Sequence, residues 1–252
     1  MGVLIFLAFL QSLTEFLPIS SSGHLLLSNL FGLSDQGIVV DIALHIGTLL
    51  AVILYFRKDI VRMILLKDIH LLSKLIVGTV PIVVVGAVIH FCDIKLLRGA
   101  TVIGLSSIFF GWLLWKVDEK APCSRRLQQM SFMDAFLIGV AQVLSVIPGT
   151  SRSGITMTCA RWCGFKREES ARFSMLLSIP TILLAGIYTI WKASSGQMIM
   201  PPSHELAVAI VSSAIFGMIA ITFLIKWLNK ASFFVFGVYR IILGICVLLY
   251  FL

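Results

Sequence analysis

Charge is scarce in this chain: Asp, Glu, Lys and Arg together make up 13% of its 252 residues, while apolar residues make up 59%. A soluble domain is typically about 25% charged and about 45–50% apolar. The shortfall excludes an ordinary water-soluble core inside a charged shell. With a mean hydropathy of +1.03, the excess apolar surface calls for a bilayer. Acidic groups are the scarcer sign, 12 against 20 basic, for a net charge of +8. In so apolar a chain that surplus reads as cytoplasmic loops, so no nucleic-acid partner is indicated. The five cysteines, Cys92, Cys123, Cys159, Cys163 and Cys246, include no C-x-x-C pair, which argues against a zinc site or dithiol motif. They read as small packing residues. The N-terminal run lacks a basic leader and is interrupted by Gln11 and Glu15, so it is not expected to be a cleaved signal peptide.

Six stretches are long and apolar enough to cross: residues 38–56, 72–91, 100–115, 171–191, 205–228 and 233–252. Pro81 and Pro180 inside two of them are tolerable where neighbouring helices satisfy the freed backbone. Two further apolar runs, 1–18 and 130–148, each end in proline, meet a Ser/Gly cluster and resume as a short second piece, 25–33 and 155–165. Each half is short for a span. Both stretches, 1–33 and 130–165, are expected to be re-entrant helical hairpins.

Loop charges agree with that expectation. Arg57, Lys58, Arg62 and Lys67 follow the first span; Lys116, Lys120, Arg125 and Arg126 follow the third. Lys166 and Arg167 follow the second hairpin, and Lys226 and Lys230 separate the last two spans. The other side holds only Lys95, Arg98 and Lys192. Re-entrant hairpins put every basic loop on one face, which is then cytoplasmic. A shift of 131 positions sets Gln11 on Gln142, Thr14 on Ser145, Ser20 on Ser151, Ser22 on Ser153 and Gly23 on Gly154. Three spans separate the copies, so they enter from opposite faces. The expected fold is an all-α polytopic membrane protein, one domain over 1–252. Its inverted-topology repeats cover about 1–115 and 130–252, with the site where the broken helices meet.

The loops suit phosphate. Ser20, Ser21, Ser22 and Gly23 precede His24; Ser151, Arg152, Ser153 and Gly154 follow Pro148. Hydroxyls, close backbone amides and a helix start form an anion cradle, to which Arg152 adds a planar bidentate fork. Charge at membrane depth is costly, by about 2.5–3.5 kcal/mol even on insertion scales, so Glu15, His24 and Arg152 count as functional candidates. The bland alternative is a Glu15–Arg152 structural lock. In the functional reading, His24 activates the hydroxyl of Ser21, or Glu15 acts as base for water. Arg152 and the loop amides stabilise a transferring phosphoryl group. Glu15, with Gln11 one turn earlier, would offer oxygen ligands to a hard divalent cation, Mg²⁺ or Ca²⁺. His45, near Asp41, is expected just behind the site. Arg240, mid-span, is either a second phosphate contact or half of a buried ion pair, with Asp41 as a candidate partner.

At Gln11-x-x-x-Glu15-Phe-Leu-Pro-Ile-Ser-Ser-Ser-Gly-His24 and Pro148-Gly-Thr-Ser-Arg-Ser-Gly-Ile-Thr156 the chain resembles the undecaprenyl-pyrophosphate phosphatases, the bacterial bacitracin-resistance phosphatases. The likeness extends through Asp41-x-x-x-His45-x-Gly47-Thr48 and Tyr239-Arg240-Ile241, nearly the whole chain in order. The family's first motif carries Glu or Gln before x-x-x-Glu; this chain has the Gln form, with fewer acidic metal ligands. The resemblance implies hydrolysis of undecaprenyl pyrophosphate to undecaprenyl phosphate and inorganic phosphate, which recycles the carrier lipid for peptidoglycan synthesis. It also implies a divalent metal, a site open to the outer face of the cytoplasmic membrane, and roles for Glu15, Ser21, His24 and Arg152. The membrane acid phosphatases need a histidine soon after a Ser-Arg, and none follows Arg152 before His204. A transporter or flippase for a lipid phosphate is the alternative that the loops also fit. The apolar, glycine-containing last span offers a surface for a homodimer.

Overall fold

Proline sets the two interruptions on which the architecture turns. The residue before a proline is pushed out of the helical region, and both Leu17, before Pro18, and Ile147, before Pro148, are extended. A computed structural model of the chain describes residues 1–21, 23–24, 37–65, 69–92, 99–193 and 201–251. Ser22, the second piece of the first hairpin (25–33), Lys67, Lys95, Arg98 and the Lys192 side chain lie outside the described residues.

The first half comprises α1 (Gly2–Phe16), α2 (Ile38–Tyr55), α3 (Arg57–Leu65), α4 (Ile69–Phe91) and α5 (Ala100–Lys120). The second comprises α6 (Phe132–Val143), which tightens into the 3₁₀ turn Leu144–Val146, then α7 (Arg152–Trp162), α8 (Arg167–Ala193), α9 (Ser203–Leu228) and α10 (Phe234–Phe251). Six helices, α2, α4, α5, α8, α9 and α10, are long and apolar enough to cross a membrane. The chain is an all-α polytopic membrane protein. Its outer face is apolar, as Ile76 at 57% and Leu249 at 81% exposure show, while Ser12, Thr48, Ser107, Thr156 and Ser178 are buried. That inside-out polarity suits lipid outside and a hydrogen-bonded interior.

Close helix contacts repeat in a two-fold pattern. Gly139 of α6 meets Gly78 of α4 so tightly that a Cβ there would lie 2.3 Å from the Gly78 carbonyl oxygen. The same 131-residue shift carries Gly78 to Ala209 and Ala8 to Gly139, and Ala8 and Ala209 share one buried cluster. Each short helix therefore packs on the middle span of the opposite half. In α5 and α10, Gly104 faces Gly244 and Gly111 faces Gly237, so these two run antiparallel. In α2 and α9, Gly47 faces Ser213 and Ala51 faces Gly217, so these two run parallel. The glycines of the last span are thus taken by α5 within the chain. The outer side of α10 presents bulky residues such as Ile242 and Leu249.

The chain before α6 and the chain after α7 lie side by side. Arg125 and Phe165 form a parallel backbone bridge, with the Arg125 amide donating to Gly164 O at 3.1 Å and the Lys166 amide to Arg125 O at 2.9 Å. Below the bridge Asp118, 2% exposed, accepts from Arg161 Nε at 2.7 Å, Arg167 Nε at 2.9 Å and the Phe233 amide at 2.9 Å. One carboxylate so ties the ends of α5, α7, α8 and α10. Arg161 is fully buried and also donates to the carbonyls of Ala121, Pro122 and Phe165. At the start of α6, burial pushes the Asp134 carboxyl up, but Arg125 and the amide and hydroxyl of Ser131 outweigh it and hold it below its ordinary value.

Removing one member of a buried pair costs about 3–5 kcal/mol, because the other charge is left uncompensated. Asp118→Ala is therefore expected to lower the melting temperature in detergent markedly. An unchanged melting temperature would remove Asp118 from this account.

Candidate active site

The two proline breaks face each other. Ser153 Oγ donates to Leu17 O at 3.0 Å, so the second loop satisfies the carbonyl exposed by the break in the first. Arg152 Nη2 donates to Glu15 Oε1 at 2.6 Å, and its Nη1 to Ser174 O at 2.9 Å. Both charged side chains are 15% exposed. The expected meeting of Glu15 and Arg152 is thus a direct ion pair across the junction.

The loops share a cap. The Gly154 amide donates to Ser151 Oγ at 3.1 Å, and, 131 residues earlier, the Gly23 amide donates to Ser20 Oγ at 3.4 Å. Ser151 and Ser20 thus each cap their own helix start by accepting a backbone amide. Ser151 holds a φ of 67°, an uncommon state for a residue with a Cβ, at the N-terminus of α7. There the first amides, those of Arg152 and Ser153 among them, have no intrahelical acceptor and point outward.

Other helices hold the second loop from behind. Ser106 Oγ donates to Pro148 O at 2.5 Å and Ser107 Oγ to Gly149 O at 3.4 Å, both from α5. Gly149 has a φ of +92°, and a Cβ there would lie 2.4 Å from Ser106 Oγ. Arg240, fully buried, donates through Nη2 to Gly149 O at 3.0 Å and Thr150 O at 2.5 Å. Of the two expectations for Arg240, the ion pair with Asp41 is not formed among the described residues, because α10 points the guanidinium at the loop's carbonyls. Among the described residues its Nε and Nη1 have no partner, and Nη1 would lie 2.6 Å from a Cβ on Gly154.

On the other side of Glu15, Gln11 Nε2 donates to Oε2 at 3.4 Å and lies 3.1 Å from His45 Nε2. His45 Nε2 is itself 3.9 Å from Glu15 Oε2. His45 therefore stands beside the carboxylate rather than behind it, while Asp41 enters through its backbone carbonyl, which accepts from His45 Nδ1 at 2.8 Å. His24 donates from Nδ1 to Ser20 O at 2.5 Å and accepts at Nε2 from the Tyr239 hydroxyl at 2.5 Å. The expected His24–Ser21 bond is not the one formed. A histidine on a helical turn reaches the carbonyl four residues back, and the outward nitrogen meets α10. Both site histidines are pinned this way and present Nε2. Ser174 and Ser106 carry no mark in the sequence, and Tyr239 stands there only as part of the Tyr239-Arg240-Ile241 motif, since nothing local shows that a residue meets the site across the bundle.

Together these features define a polytopic membrane protein in which two proline-broken loops meet at a polar junction that holds an ion pair. The chain belongs to the bacitracin resistance protein BacA family, whose profile matches residues 4–246. It is similar to curated proteins named undecaprenyl-diphosphatase. That of Saccharophagus degradans is 44% identical over 255 residues, covering 95% of this chain and 94% of the relative. That of Aliivibrio salmonicida is 43% identical over 251 residues, 95% and 94%. That of Alcanivorax borkumensis is 41% identical over 254 residues, 96% of each.

The junction is open to a direct check. With the five native cysteines replaced, Leu17→Cys and Ser153→Cys are expected to form a disulfide under mild oxidation in membranes, read by a shift on non-reducing gels. Failure to cross-link would place the loops apart.

Proposed function

We propose that the chain hydrolyses undecaprenyl pyrophosphate to undecaprenyl phosphate and inorganic phosphate, and so recycles the carrier lipid for peptidoglycan synthesis and confers bacitracin resistance. The observation that carries this reading is the Glu15–Arg152 ion pair at the junction of the two loops, in a chain whose relatives bear that activity as their name. Arg152 and the first amides of α7 hold the terminal phosphoryl group and neutralise the charge that develops on it. His24, fixed by Ser20 O and with Nε2 presented, takes the proton from the attacking oxygen, that of Ser21 or of water, as Tyr239 gives up its place. The phosphorus–oxygen bond to the bridging oxygen breaks, and undecaprenyl phosphate leaves. When Ser21 attacks, water then cleaves the phosphoserine.

A divalent cation fits the Gln11–Glu15 side. Glu15 gives Oε1 to Arg152 and turns Oε2 toward Gln11 and His45, and Mg²⁺ is commonly held by one or two carboxylates plus substrate phosphates. Glu15 Oε2 would hold it, with the Gln11 amide turned over to offer its oxygen in place of Nε2 and His45 beside them. When bound, it would supply Lewis-acid neutralisation of phosphate oxygens.

The parallel run of α2 and α9, the antiparallel run of α5 and α10, and the closed base at Arg125–Phe165 support a re-entrant second hairpin, since a full crossing would reverse both relations. With the basic loops inside the cell, the chain is a bacterial cytoplasmic-membrane protein whose site opens to the outer, periplasmic face.

Phosphate release from undecaprenyl pyrophosphate by purified protein in detergent tests the function, because transport is impossible there. Arg152→Ala and Glu15→Ala are each expected to lose about 10²-fold or more, and undiminished release in both would exclude this site. Excess chelator is expected to stop release and added Mg²⁺ or Ca²⁺ to restore it. Full activity in chelator would refute the cation site.

A further inference from the structure

The reaction leaves unused a cavity at the Lys/Arg-rich end of the bundle. It has a volume of about 420 Å³ and is lined by Asp59 and Arg62 of α3, His70 and Lys74 of α4, Arg172 of α8 and Leu127 of the turn before α6, among others. Its carboxylate is spent: Arg172 donates to both oxygens of Asp59, from Nε at 3.2 Å and from Nη2. Arg62 and Lys74 then bring two positive charges that no ion pair engages among the described residues. His70 adds a ring that can donate. Arg62, Lys74 and Arg172 outweigh Asp59 and the nearby Glu169, whose Oε2 lies 3.8 Å from Arg172 Nη1, so the described lining is net positive and attracts an anion.

The depth of the cavity identifies the anion further. The short helix α3 exposes Val61, Ile64 and Leu65 at 48%, 67% and 70% and carries Arg57, Lys58 and Arg62 as well. A short helix of that composition between two spans lies in the membrane interface. The cavity beside it is at the level of lipid phosphates, where basic pockets between helices bind anionic headgroups.

We infer that this cavity is a binding site for the phosphate of an anionic phospholipid headgroup, separate from the Glu15–Arg152 junction. Purified full-length protein in detergent would be titrated with phosphatidylglycerol, phosphatidylcholine and inorganic phosphate, with binding read by native mass spectrometry and by melting temperature. Phosphatidylglycerol is expected to bind in preference to phosphatidylcholine, and the Arg62→Gln/Lys74→Gln double variant to weaken it about tenfold or more. Arg62→Lys, which keeps the charge, should keep the preference. Both residues lie outside the proposed machinery, so phosphatase activity in lipid-free detergent reports that the double variant is folded. Competition by millimolar inorganic phosphate supports the site and assigns its occupant to the free anion. Equal binding of the two lipids with no effect of phosphate, or an undiminished preference in the folded double variant, would overturn the inference.

Discussion

A helix broken inside a bilayer leaves carbonyls and amides that water cannot reach, and each must find a partner in the protein. In the second loop this requirement falls largely on Arg240. Its guanidinium, wholly buried, holds the carbonyls of Gly149 and Thr150, while Ser106 and Ser107 hold Pro148 and Gly149 from α5. With the carbonyls drawn backward, the opposite edge of the loop is left as amides and hydroxyls. Those are the groups that the proposed phosphate would meet, because the loop's acceptors are engaged elsewhere. Gly149 and Gly154 follow from the same demand, since a Cβ at either would collide with the groups that hold the loop.

The halves share that framework but not their chemistry. Ser20–Gly23 and Ser151–Gly154 form the same cap, and each short helix packs on the middle span of the other half. Glu15 and His24 correspond to Val146 and Ile155, however, while Arg152 corresponds to Ser21. The acidic and basic candidates thus lie on one loop and the guanidinium on the other. Only the assembled pair forms the site, which explains the tight glycine contacts between halves. Without them Glu15 and Arg152 would be two isolated charges in an apolar medium.

The sequence made legible whatever depends on local pattern. The six spans begin and end within a few residues of their expected bounds, except that α5 runs on to Lys120 and α8 begins at Arg167, because their polar ends stay helical beyond the apolar stretch. The loops were legible too, as was the approach of Arg152 to Glu15, because uncompensated charge at that depth has few solutions. The partners of the site were not. Tyr239 lies 215 residues from His24, and its hydroxyl looks like any interfacial tyrosine. Nothing in the sequence pairs Asp118 with Arg161, yet together they join the ends of α5 and α7. Such pairings are fixed by helix packing angles, which no single-helix periodicity contains.

The Glu15–Arg152 pair is compatible with a structural lock and with the proposed phosphate site at once. Arg152 is held from two sides, its Nη1 by Ser174 O and its Nη2 by Glu15 Oε1. A phosphate arriving at α7 offers Arg152 a bidentate partner and competes with Glu15 for Nη2 alone, so the guanidinium changes partners without leaving its anchor on α8. The Glu15 oxygen thereby released faces the phosphate with like charge, which a bound cation would offset. The pair that neutralises both charges in the free protein is thus also the pair whose separation would prepare both ends of the site, and the anion and cation would bind cooperatively.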